Sequence, residues 1–175
     1  FGVKAMQEDD YEQAIFFLQQ VVEDNPEWVD AFYFLGKAQR LAGDVAGSIK
    51  SLDAALKVDQ DFAPAYLERG RTLLLRDELA AERDFFSAID KDPAFVEAYE
   101  ELGTYYAERR LWQRLETYMQ RAVDEGAGSP RVLIYLSEAK LNLLKYEDAL
   151  DFALQGSADD PTMLDGYLAV GLAYG

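Results

Sequence analysis

The chain has 175 residues, a formal net charge of −16, and neither histidine nor cysteine. These absences exclude a Ser-His-Asp triad, a cysteine nucleophile, a disulfide, and a zinc site built from nitrogen and sulfur ligands. The sequence holds no basic patch that could overcome the acidic surplus, so we expect no nucleic-acid partner. Half of the residues are apolar, which is typical of a folded chain.

The apolar residues are not gathered into long runs. The longest, such as residues 31–35, fall far short of the roughly 20 residues that cross a bilayer. We therefore expect a soluble protein without direct membrane insertion. A chain without cysteine suits the cytoplasm and the periplasm alike; of the two, the cytoplasm is favoured.

Small residues recur along the chain at a nearly constant spacing. One series runs through Gly2, Gly36, Gly70, Gly103, Ser137 and Gly171, separated by 34, 34, 33, 34 and 34 residues. Two further series, which begin at Ala14 and Val21, show the same spacing and the same single-residue deletion between Gly70 and Ala81. Such a shared period is the signature of a repeat architecture with a little over five units.

Each period contains two stretches with the apolar spacing of a helix face. Gly43 suits the left-handed conformation that ends one helix, and Asp44 can accept the first free amides of the next. The Pro93 and Pro161 positions mark the junctions between pairs, because proline cannot extend a preceding helix. The pattern predicts a helix at 10–24, pairs at 29–42 with 45–58, 63–76 with 78–91, 96–109 with 112–125 and 130–143 with 146–158, and a last helix at 164–175.

The recurring small residues predict where helices approach closely, since a larger side chain would push a packed pair apart. Aromatic residues once per period are expected to fill the space between successive pairs. These are Phe32, Tyr66, Tyr99 and Tyr167.

This pattern resembles the tetratricopeptide repeat signature W-x2-L-G-x2-Y, A-x3-F, A, P. The clearest copies are Tyr99-x2-Leu102-Gly103-x2-Tyr106, and Ala81-x3-Phe85 followed by Ala88 and Pro93. The resemblance implies an all-α fold: a right-handed α-solenoid, or superhelix, of antiparallel helix pairs with about five repeats. We expect one solenoid over residues 1–175, with a partial repeat at 1–28, repeats at 29–62, 63–95, 96–129 and 130–163, and the first helix of another at 164–175.

Two cations are among the residues that depart from that signature. Arg69 stands where leucine is expected, and Lys140 stands where tyrosine is expected. For Arg69 we expect a stem that lies along apolar surface and a charged head in water.

In this family the first helix of each pair lines a concave surface on which partners usually bind. Carried over to this sequence, the resemblance implies partner-binding residues Tyr33, Phe34, Lys37, Arg40, Leu67, Arg71, Glu97, Glu100, Glu101, Thr104, Arg131, Tyr135 and Glu138. Cations lie beside aromatic residues at one end and carboxylates lie in the middle, which suits a peptide of mixed charge. The sequence lacks the lysine and asparagine constellation that chaperone-tail receptors of this family use.

The sequence therefore predicts a non-catalytic scaffold that binds a peptide or partner protein on its concave face, with no catalytic residues, metal or cofactor. An alternative is a substrate-recruiting or regulatory segment of a larger enzyme or secretion or assembly machine. The first and last units are incomplete, so we also expect either a portion of a longer protein or self-association through residues 1–7 and 164–175.

Overall fold

A computed structural model of the chain describes residues 2–158. The chain divides into two compact units, residues 1–92 and 93–175. All regular elements between residues 2 and 158 are α-helices, which confirms the all-α fold class. None of the helices in this range is long and apolar enough to span a membrane. The predicted helix at 164–175 and Tyr167 lie outside the described residues, and the single solenoid over 1–175 stays a prediction.

The first unit is a series of helices, α1 (Gly2–Gln7), α2 (Tyr11–Asp24), α3 (Val29–Leu41), α4 (Val45–Val58), α5 (Ala63–Leu73) and α6 (Glu78–Lys91). The second helix of one pair packs against the first helix of the next, as α2 does on α3 and α4 does on α5. The short connection within each pair makes its two helices antiparallel neighbours. In addition, α3 packs directly against α5, so successive first helices lie side by side.

The second unit repeats this arrangement. Its described helices are α7 (Val96–Glu108), α8 (Trp112–Asp124), α9 (Pro130–Asn142) and α10 (Tyr146–Gly156). Here α8 packs against α9, and α7 also packs against α9. The helix boundaries agree with the sequence prediction to within three residues, the largest difference being the end of α5 at Leu73.

Aspartates at equivalent positions begin the second helices of the first unit. The side chains of Asp10, Asp44 and Asp77 accept the backbone N–H three residues ahead, at 3.0, 2.9 and 2.9 Å. Each bond satisfies one amide that has no partner within the helix. The predicted role of Asp44 is therefore confirmed, and it recurs in α2 and α6.

The close approach predicted at the recurring glycines is also confirmed. A methyl carbon added at Gly36 would lie 2.6 Å from Leu52 Cγ, and one added at Gly70 would lie 2.6 Å from Phe85 Cε1. At Gly103 the neighbour is instead Tyr135, on the next first helix, at 2.5 Å. Distances this short leave no room for a side chain without displacing a packed neighbour.

Ser137 shows how the same position accepts a slightly larger residue. Its hydroxyl donates to the Ala149 carbonyl at 2.6 Å, in the buried contact between α9 and α10. At Gly36 and Gly70, an added carbon would lie 3.2 Å from the corresponding carbonyls of Ser48 and Ala81. Serine fits at this place because a hydrogen bond replaces what would otherwise be a tight contact.

Between residues 2 and 158, most turns inside the pairs use a left-handed residue, and it is a glycine in one of them. Gly43 has φ of 84°, and Asp9, Arg110 and Leu144 at equivalent positions have φ of 57°, 55° and 62°. Residues 74–77, where the repeat is one residue shorter, contain no positive φ. The deletion therefore removes the left-handed residue from the turn between α5 and α6.

This equivalence gives a matched pair of substitutions. We expect Leu144→Gly to raise the free energy of unfolding by about 0.5 kcal/mol, because Leu144 is 70% exposed and loses little burial. Gly43→Leu should lower it by about 1 kcal/mol, since nothing lies within 4 Å of an added Cβ there and the backbone conformation is the main penalty. Urea unfolding of both variants checks the prediction, and equal effects of the same sign would contradict it.

Arg69 and Lys140, the two cations that depart from the repeat signature, each lie in a cluster of ion pairs. The Arg69 guanidinium donates to both carboxylate oxygens of Asp84, on α6, at 2.7 and 2.8 Å, and to Asp53, on α4, at 2.6 Å. The expectation of a charged head in water was wrong. The carboxylates of two neighbouring helices converge on this position, and they raise the pKa of Arg69, above all through the hydrogen bonds to Asp84.

Lys140 forms the corresponding cluster in the second unit. Its ammonium donates to Glu116, on α8, at 3.3 Å and to Asp148, on α10, at 3.1 Å. Lys145 also donates to both oxygens of Glu116, at 2.7 and 2.9 Å. Burial favours the neutral form of Glu116, but the hydrogen bonds from the two lysines outweigh it and lower the pKa of this carboxyl.

Candidate functional site

The first-helix surfaces of the two units carry the residues predicted to bind a partner. In the first unit these surfaces belong to α3 and α5, and in the second to α7 and α9. Leu67 differs from that expectation, since it is 3% exposed and lies in the core of the first unit. A side chain buried in this way contributes packing between helices rather than contact area for a partner.

Tyr33 and Phe34 are partly buried and connect the surface of α3 to the core. Their ring centroids lie 5.0 Å apart, and the Tyr33 ring also meets Phe62 edge to face at 5.6 Å. Phe34 packs against the core cluster that contains Leu18 and Leu35. These contacts fix both rings, so a partner would meet rigid aromatic edges rather than free side chains.

Two arginines of the first unit bind one buried carboxylate. Glu68, on α5, has a fully buried side chain. Its carboxylate accepts hydrogen bonds from Arg40 Nε and, at 3.3 Å, from an Arg71 terminal nitrogen. Two of the predicted binding residues, on α3 and α5, are therefore brought together through a third residue. Lys37, Arg40 and Arg71 are called the cationic face below.

Glu68 was not among the residues predicted from the sequence. It lies on the repeat track that also contains Phe34, Glu101 and Tyr135, which are all predicted binding residues. This repeat position could have marked Glu68 as a candidate binding residue. The sequence does not show that Glu68 is buried, because a buried glutamate and an exposed one are the same residue in sequence.

Lys37 lies one turn before Arg40 on α3 and is partly exposed. Within residues 2–158 its ammonium forms no hydrogen bond or ion pair. This separates it from Arg40 and Arg71, which bind Glu68. Reversal of the charge at Arg71 would place a carboxylate beside Glu68, so Lys37 is the cleaner position at which to test the surface.

The predicted residues of the second unit form a polar network across α7 and α9. Thr104 and Tyr135 share a hydrogen bond of 2.7 Å between their hydroxyl groups. Glu100 accepts a hydrogen bond from Ser129 at 2.7 Å, and Arg131 lies 3.9 Å from the same carboxylate. Contact with Tyr135 raises the pKa of Arg131, although burial acts in the opposite direction. Of the carboxylates predicted to bind a partner, Glu100 is therefore already paired within this network.

The remaining carboxylates of this unit differ in exposure. Glu97 is exposed at the start of α7, and Glu101 is partly exposed on the same helix. Burial raises the pKa of Glu138, on α9. No three carboxylates between residues 2 and 158 come together in a way that could hold a metal ion.

The segments predicted to self-associate are described only in part. Residues 2–7 form α1, which packs on α2 with Ala5 buried and Val3 exposed. Residues 164–175 lie outside the described residues. Self-association therefore stays a prediction.

Known proteins share the sequence pattern and the fold. Residues 5–70 match a family described as Tetratricopeptide repeat. A crystal structure of MamA is 22% identical, with a TM-score of 0.73 over 93% of this chain and 97% of that chain. A structure of residues 41 to the end of MamA from Desulfovibrio magneticus RS-1 is 18% identical, with a TM-score of 0.68 over 95% and 92% of the two chains.

A third similar structure is TTC0263, a thermophilic TPR protein of Thermus thermophilus. It is 18% identical and has a TM-score of 0.63 over 98% of this chain and 95% of that chain. At these identities the likeness concerns the fold, an α-solenoid of about five repeats. Residues 5–70 match the tetratricopeptide repeat family, and the glycines in close contact and the paired helices agree with that match.

Proposed function

We propose that this chain is a non-catalytic scaffold that binds a segment of a partner protein on the exposed surfaces of its first helices. The observation that carries the proposal is the composition of the α3 surface. There, partly buried aromatic rings lie beside a lysine that has no partner within residues 2–158 and an arginine that is held in place. Aromatic residues and arginine are the residue types in which protein interfaces are enriched.

The second helix α4 offers a contrast within the first unit. The outward positions of α4 carry isolated charges such as Lys50 and Lys57, which are exposed. Charges that stand alone in water are typical of ordinary solvated surface and contribute little to binding. We therefore expect the partner to contact α3 rather than α4, which supports α3.

A selection from a random 15-residue peptide library tests the scaffold proposal. Binders would be mapped by the slowing of backbone amide hydrogen exchange in the full chain. We expect slower exchange to concentrate on α3, α5, α7 and α9. Exchange on α4 and α8 should not change, so these helices serve as internal controls. Binders that protect only the second helices, or a library that yields no binder, would count against this function.

A further inference from the structure

Arg40 is a guanidinium whose position is already fixed. Its Nε donates to the fully buried carboxylate of Glu68, and its side chain remains 28% exposed. Within residues 2–158 its two terminal nitrogens form no hydrogen bond. The N–H groups on those nitrogens have the fork geometry that binds a carboxylate through two parallel hydrogen bonds.

Lys37 adds a second cation on the same side of α3. It lies three residues before Arg40, so the two side chains are neighbours on the helix surface. The pair is particular to this helix. The equivalents of Lys37 are Arg71, Thr104 and Glu138, and the equivalents of Arg40 are Leu74, Ala107 and Leu141.

The surroundings of the pair are mixed rather than uniformly basic. Glu68 offsets one of the three charges of the cationic face. Tyr11, at the start of α2, lies within electrostatic reach of Arg40, and its hydrogen bond to the exposed Asp9 raises its pKa. Among these groups, the three cations Lys37, Arg40 and Arg71 outnumber the carboxylates of Glu68 and Asp9 by one.

We propose that Lys37 and Arg40, with Arg40 anchored on Glu68, bind the carboxylate side chains of an acidic segment of the partner protein. This inference rests on the proposed scaffold function and names the chemistry of one end of its binding surface. Because Glu68 already restrains Arg40, less side-chain entropy is lost when a carboxylate binds. The partly buried setting also strengthens the charged hydrogen bonds relative to a fully exposed pair.

Capped 12-residue peptides provide the probe. One series would carry two glutamates spaced three or four residues apart beside a leucine, and matched series would replace the glutamates by glutamine, lysine or phosphoserine. Fluorescence anisotropy with the full chain would measure their affinities at low and at moderate salt. We expect the glutamate series to bind at least about tenfold more tightly than the glutamine series, with the difference shrinking as salt rises.

Two variants locate the effect on α3. Lys37→Glu should weaken binding of the glutamate series about tenfold, whereas Lys50→Glu, the same change on α4, should leave it unchanged. Arg40→Lys keeps a cation beside Glu68 but removes the fork, so we expect about a fivefold loss. Circular dichroism and urea midpoints would show that all three variants remain folded.

The outcomes separate this inference from the scaffold function. Peptides without acidic residues that bind the first helices, while the glutamate series does not, would overturn the inference and leave the scaffold in place. Binding only by the phosphoserine series would also overturn it, in favour of a phosphate ligand. Glutamate peptides that bind equally well to Lys37→Glu would show that the carboxylates lie elsewhere.

Discussion

Replacement of Arg69 by leucine is expected to lower the free energy of unfolding by about 2 to 4 kcal/mol, although leucine occupies the equivalent positions 35, 102 and 136. The substitution would remove the cation from Asp84, whose side chain is only 9% exposed. A carboxylate left without its partner in such a place must either remain charged without compensation or take up a proton. Urea unfolding of the full chain measures the loss.

Two further variants show whether the unpaired charge causes that loss. Removal of both charges in Arg69→Leu/Asp84→Val should restore most of the stability, because a buried ion pair and a packed apolar pair are often similar in energy. Asp53→Ala removes the other partner of Arg69, which is 55% exposed, and should cost less than about 1 kcal/mol. A double variant as unstable as Arg69→Leu would show that side-chain volume, rather than charge, decides the outcome.

Glu68→Gln is expected to lower the free energy of unfolding by about 2 kcal/mol and to weaken binding of acidic peptides to α3. The glutamine keeps the size of the side chain but loses the charge that Arg40 and Arg71 share. Both arginines retain some contact with water, at 28% and 27% exposure, so the loss should be smaller than for a fully buried ion pair. Urea unfolding and peptide titration on the same preparation measure the two effects.

Glu97→Gln is the matched control, because Glu97 is an exposed glutamate at the start of α7. It should change stability by less than about 0.5 kcal/mol. Full stability together with normal peptide binding in Glu68→Gln would refute the anchoring role of Glu68. Lost stability with unchanged binding would show that the Arg40 fork does not depend on its anchor.

The clusters around Arg69 and Lys140 share one arrangement. In each, a cation on a first helix meets an acid on the preceding second helix and another on its own second helix. Contacts between apolar faces tolerate small shifts of one helix along the other, whereas hydrogen-bonded charges require one particular register. These clusters therefore tie neighbouring helices together at the places where the repeat signature is broken.

The repeat period and the helices could be read from local spacing. A helix places every third or fourth residue on one face, so the apolar pattern of a single segment is enough to indicate it. Gly43 and Asp44 act at the turn they adjoin, so their roles were also predictable. The glycines were informative because close helix contact leaves room for little else.

The ion pairs between helices could not be predicted from the sequence in the same way. Asp53 and Asp84 lie 16 and 15 residues from Arg69 in sequence, and Arg40 lies 28 residues from Glu68. The left-handed turns at Arg110 and Leu144 were missed too, since neither residue type favours that conformation.

The order of the helices, the close approaches at small residues and the resemblance to a repeat family were thus determined by the sequence alone, because each follows from local periodicity. Within the described part of the chain, only the tertiary structure decided which charges are paired, which predicted surface residue is buried, and which guanidinium keeps N–H groups without a hydrogen bond. Leu67 and Glu68 illustrate the difference, since both are buried. Leu67 was predicted to lie on the binding surface, and Glu68 was not among the predicted residues. Burial and pairing depend on the neighbouring helix, and no single helix encodes the distances between its side chains and those of its neighbour.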